Sequence, residues 1–147
     1  MYIPDLTPYC YDLPKAFESV VAVGWLSKGK PIQTGKCPED VLKKLNRLIL
    51  RERVNPMRGT HRCDFCNQYE IRLQISEHSL LLGSAEVWVP ESSGRVVLAA
   101  PNLIVHYIVD HRYLPPELFI NAIREFREES TWSGQKLHEK LSCDAYL

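Results

Sequence analysis

Two short stretches hold the residue types that bind metals. Cys63-Asp64-Phe65-Cys66 places two thiols at C-x2-C spacing, and His106-Tyr107-Ile108-Val109-Asp110-His111 places two imidazoles at H-x4-H spacing. Zinc takes thiolate sulfur and neutral imidazole nitrogen at about 2.0–2.3 Å in a tetrahedron. Two residues between cysteines let one tight turn deliver both sulfurs, and histidines from a distant element would tie that element to the turn. Cys63, Cys66, His106 and His111 are therefore the expected ligands of a Cys2His2 zinc site. Four protein ligands leave no position for a water nucleophile, so the expected zinc is structural and no catalytic residue is assigned. His61, two residues before Cys63, competes as a ligand.

The elements around these residues must bring them together across 39 intervening positions, Asn67 to Val105. Histidines five apart diverge by about 140° on an ideal helix, so both reach one ion only if the helix ends or tightens between them. Tyr113-Leu114-Pro115-Pro116 predicts an ending near His111. That helix should run from Leu103, with Asn102 as its cap. Strands are predicted over Ser19–Leu26, Glu70–Ser76, Leu82–Val89 and Val96–Ala100, the last two joined at Glu91-Ser92-Ser93-Gly94. Pro38, with Glu39 and Asp40 behind it, opens a helix striped by Val41, Leu42, Leu45, Leu48 and Ile49. Pro116 opens another over Glu117–Arg127, and a weak last helix covers Gln135–Leu141. The pattern predicts an α+β fold, a small antiparallel sheet with flanking helices and a Cys2His2 zinc knuckle-helix site. One domain should span residues 1–147, with 1–16 as an extended arm and 128–147 as a loosely attached C-terminal segment.

Composition restricts the function classes. The 147 residues carry 18 basic and 18 acidic side chains, which gives no global charge for nucleic acid or membrane. No apolar run reaches the roughly 20 residues that span a bilayer, and Met1–Leu13 lacks a secretory pattern, so a cytoplasmic protein without membrane partners is expected. Lys28–Arg62 holds ten basic residues against three acidic ones. Its helix face of Lys43, Lys44, Arg47 and Arg51 could hold phosphates, which makes a nucleic-acid-binding zinc-finger-like protein the first alternative. The second is a metal-dependent nuclease or hydrolase with His61 as general base. That chemistry needs an open coordination position, and no G-x-S-x-G, phosphate loop or H-E-x-x-H supports it. The favoured reading is a zinc-stabilised binding protein that recognises another protein, such as an immunity or adaptor protein. The aromatic arm of Tyr2, Tyr9, Tyr11 and Phe17 offers contact area.

The segments Tyr2–Leu6, Val23–Leu26, Arg58–Cys66, Gly83–Val89, Ala100–Ile108 and His111–Phe119 resemble a family of small, stand-alone, mainly bacterial proteins of unknown function. The resemblance runs to about Ile123 and is most specific at the cysteine turn and the histidine helix. It implies a compact domain with a metal site and supplies no activity. The chain departs from it at Arg112, where members tend to carry glycine after the second histidine.

Overall fold

The structure is a computed structural model and describes residues 1–144; positions 145–147 of the expected C-terminal segment lie outside the described residues. The fold is α+β. In chain order the elements are β1 (Val20–Ala22), α1 (Glu39–Arg51), β2 (Arg72–Ile75), β3 (His78–Leu81), β4 (Glu86–Pro90), β5 (Val97–Pro101), α2 (Ile104–His111), α3 (Glu117–Glu125) and α4 (Gly134–Asp144).

The main sheet has the order β1-β5-β4. β5 pairs antiparallel with β4, joined by the expected hairpin, but parallel with β1, so the sheet is mixed. Alternation along the strands divides the core in two. Val87, Val89, Leu98 and Ala100 face α1, α2 and α3, while Trp88, Ala99, Val20 and Ala22 face the N-terminal arm and Leu141 of α4. The arm is hydrogen-bonded along β1, with Leu6 N–H on Ala22 O at 2.7 Å and Tyr9 N–H on Val20 O at 2.9 Å. Its Tyr9 is fully buried against Trp25 and Trp88.

Two predicted strands are shorter than expected. Of Ser19–Leu26 only β1 is regular strand, because Gly24 adopts φ +78° and turns the chain; beyond it Trp25 keeps an isolated bridge to Ile3. Leu82–Val89 is strand only from Glu86, because Gly83, with φ +92°, turns the chain before it. Leu81 ends β3, which forms a separate hairpin with β2, and β4 starts at Glu86. A side chain at position 83 would meet the His61 carbonyl oxygen at 2.6 Å, so only glycine lets the loop before the cysteines pass this close. Asn102 does not cap α2. Its Oδ1 accepts the Gly83 N–H at 2.7 Å instead, and Leu103 occupies the cap position with no side-chain bond.

Helix α1 buries Val41, Leu45, Leu48 and Ile49 on one stripe. Its basic face is engaged within the molecule. Lys44 Nζ donates to the carbonyls of Arg124 and Phe126 at 2.9 and 2.6 Å, where α3 ends. Arg47 pairs with Glu128 at 2.8 Å, and Arg51 donates to the carbonyls of Ser130 and Trp132. Glu52 accepts the Gly134 and Gln135 N–H groups and the Ser133 hydroxyl, which caps α4. Residues 128–144 are thus held to the body by α1 and by the residue that follows it.

Candidate metal centre

Each half of the site is built locally. Asn67 N–H returns to Cys63 O at 2.8 Å, which closes the cysteine turn. Asn67 takes φ +55° to do so, a left-handed conformation that asparagine tolerates better than most residues. The backbone amides of Phe65 and Cys66 point at the Cys63 sulfur. They favour a thiolate there, while burial has the larger effect and pushes the thiol up from its ordinary value. Phe65 packs its ring on Tyr107 and His111, at centroid distances of 5.7 and 5.2 Å, and so couples the turn to α2.

The histidines converge because the helix ends, though it widens where tightening was the expected alternative. Arg112, at φ +55°, sends its N–H five residues back to Tyr107 O, and Tyr113 N–H reaches the same carbonyl at 3.0 Å. This π-type final turn swings His111 toward His106, and their rings stand 5.0 Å apart at 78°.

The two halves meet. Cys63 Sγ lies 3.3 Å from His111 Nε2, and Cys66 Sγ lies 3.4 Å from His106 Nε2. All four donor atoms fall within 4.8 Å of one another. A zinc tetrahedron of ordinary bond lengths has a sulfur–nitrogen edge of about 3.6 Å. The donor set therefore fits a metal ion. His106 Nδ1 faces Asp110 Oδ2 at 3.0 Å, one helical turn on. A carboxylate on Nδ1 fixes the tautomer that leaves the Nε2 lone pair for a metal. Burial holds His106 below its ordinary range against the pull of Asp110, so the ring favours the neutral form that coordination requires.

His61 lies outside this cluster. It stands at the mouth of an adjacent cleft with Nε2 2.7 Å from the Tyr11 hydroxyl of the arm. The hydrolase reading needed His61 beside an open metal position, whereas here four donors already converge and His61 faces a tyrosine. Lys44, Arg47 and Arg51, three of the four residues offered to phosphate, are tied to α3 and the chain after it. One polar residue escaped the sequence reading. Glu86 is buried inside Ala85-Glu86-Val87-Trp88-Val89 and accepts from Tyr9, Asn55 and Trp88 at 2.8–2.9 Å. A carboxylate in an otherwise apolar run was the signal that could have found it.

No helix among the described residues is long and apolar enough to cross a membrane. No curated protein and no solved structure matches the chain. The family described as Domain of unknown function (DUF7919) matches residues 1–124, a span that includes all four donors and the cleft beside them, and the chain belongs to that family.

Proposed function

We propose that the protein is a small zinc-stabilised binding protein in which Cys63, Cys66, His106 and His111 hold one structural zinc, and that its partner is another protein, in the manner of an immunity or adaptor protein. The observation that carries the zinc is the convergence of four donor atoms within 4.8 Å from two segments far apart in the chain. The metal's work is mechanical: it pins the cysteine turn to the end of α2, a contact otherwise made by Phe65 on Tyr107 and His111. Thiolate ligands persist where thiols stay reduced, which supports a cytoplasmic location. The partner surface is the outer side of the cysteine turn. Tyr69 there is 64% exposed, with the Arg62 guanidinium 5.4 Å from its ring centroid. Tyrosine and arginine are the types that dominate interface energetics.

Elemental analysis tests the zinc. One equivalent per chain is expected in the wild type, with loss in both Cys63→Ser and His106→Ala, and a protein purified without metal that melts unchanged in strong chelator overturns it. For the partner surface, Tyr69→Ala should abolish association with the partner at an unchanged melting temperature, and retained binding would remove this face from consideration.

A further inference from the structure

Two features of the surface hang on the joint between the cysteine turn and α2. Arg62 and Asp64 of the turn line a cleft of about 160 Å³ together with Tyr107 of the helix, so the spacing of turn and helix sets the width of that cleft. The outer side of the turn carries Arg62 and Tyr69, joined through the Tyr69 hydroxyl at 2.8 Å. Across the joint itself lie the Phe65 ring, packed on Tyr107 and His111, and the four metal donors.

The two sulfurs differ in access. Cys63 is fully buried, whereas Cys66 is partly exposed. They lie within 4.8 Å of each other, and C-x2-C spacing closes a disulfide as well as a metal site. Backbone bonds shape the turn independently of either sulfur. Asn67 N–H reaches Cys63 O at 2.8 Å, and Cys63 N–H reaches Gln68 O at 3.4 Å. The turn can therefore keep its form when its sulfurs exchange a metal for each other. The histidines have no place in a disulfide, so the tie to α2 is what oxidation removes.

We propose that Cys63 and Cys66 are an oxidation site for hydroperoxides, and that closing their disulfide unties the turn from α2; this rests on the zinc reading above and gives that site its regulation. Cys66, the accessible sulfur, attacks the outer oxygen of the hydroperoxide. The O–O bond breaks, Cys66 becomes a sulfenic acid, and the other oxygen leaves as an alcohol with a proton from solvent. Cys63 then attacks the Cys66 sulfur, the S–O bond breaks, and hydroxide leaves to be protonated to water. Two thiolates, one hydroperoxide and two protons give one disulfide, one alcohol and one water. The cysteine pair loses two electrons and the O–O bond gains them. A disulfide offers no thiolate, so two of the four donors are lost and the zinc is released. Phe65 then carries the joint, and both the cleft and the Arg62–Tyr69 surface loosen with it.

The test uses the purified, zinc-loaded full chain, with hydrogen peroxide as the probe and a chromogenic chelator to report free zinc. One zinc equivalent per chain should appear as the protein loses two hydrogens in intact mass. Peptide mapping should place the bridge between Cys63 and Cys66, and a sulfenic-acid trap added early should label Cys66. A thiol reductant with added zinc should restore the starting mass and metal content. Amide exchange should quicken in Cys63–Tyr69 and Tyr107–Tyr113 on oxidation while β4 and β5 stay protected. Metal retained in peroxide, sulfinic acid without a bridge, a bridge to exposed Cys10 or Cys143, or unchanged exchange at the joint would overturn the proposal. A chain that takes up no zinc removes the zinc reading and this one together, whereas a zinc-loaded chain indifferent to peroxide removes this one alone.

Discussion

At the scale of single residues, the site is governed by side chains that set geometry as much as by the donors. Asp110 holds His106 in the tautomer that presents Nε2. On the proposed zinc reading, Asp110→Asn should therefore still bind zinc but with an affinity about 10- to 100-fold weaker, measured by competition with a chelating dye. Arg112 sits in the left-handed region at the helix end. Arg112→Gly should raise stability by up to about 1 kcal/mol in denaturant unfolding, since glycine adopts this conformation without the steric cost, and a loss of stability would mean the arginine side chain contributes more than its strain. The donors themselves were legible because each pair is local, two or four residues between members. Their convergence was read from the helix end expected near His111; the wide turn at Tyr107–Arg112 that accompanies it was not, because its cause is backbone hydrogen bonding. Asn102 misled for a similar reason: its type suits a helix cap, yet Gly83 N–H claims its oxygen.

Among the elements, those with long, regular periodicity were legible. α1 and α3 occupy their predicted places because proline fixes each start and an apolar stripe marks each buried face. Of the β2–β3 hairpin, β2 lies inside the expected strand Glu70–Ser76, whereas β3 was missed. The connection, Ser76-Glu77, lacks the glycine or asparagine that signals a two-residue turn, and Leu80-Leu81-Leu82 runs straight into the apolar stretch that ends at Val89, so β3 and β4 look like one strand. The basic face of α1 also reads differently in three dimensions: Lys44, Arg47 and Arg51 satisfy the carbonyls and carboxylate of the chain leaving α3. Glu52 continues this work at the start of α4. Glu52→Ala should cost about 1–2 kcal/mol and speed amide exchange in Gly134–Leu141 before the rest of the protein; uniform exchange across the chain would contradict the capping role.

For the molecule as a whole, two buried features couple stability to its surroundings. If the four donors hold the proposed zinc, its removal should lower the melting temperature by about 10–20 °C, the shift expected for about 5 kcal/mol in a domain of this size, read by calorimetry with and without chelator. Glu86 couples stability to pH. Burial pushes its carboxyl up to about 7, against the influence of its three donors. Because its folded pKa is raised, the folded protein holds a proton that the unfolded chain releases near pH 4.5. Its contribution is complete below that pH and is lost as pH rises through about 7, on the order of 3 kcal/mol in all. Metal ligands titrate over overlapping pH values in the opposite sense, so the measurement is a difference: wild type minus Glu86→Gln should lose stability from about pH 5 to 7, and a flat difference would rule the coupling out. The parallel pairing of β1 with β5 reaches one consequence further. Val20 waits for Val97, and at about 5–20 residues per second a ribosome needs roughly 4–15 s to deliver it. During that interval the emerging polypeptide can lay only its arm against β1, and the strand's other edge stays open to any passing partner until β5 leaves the ribosome.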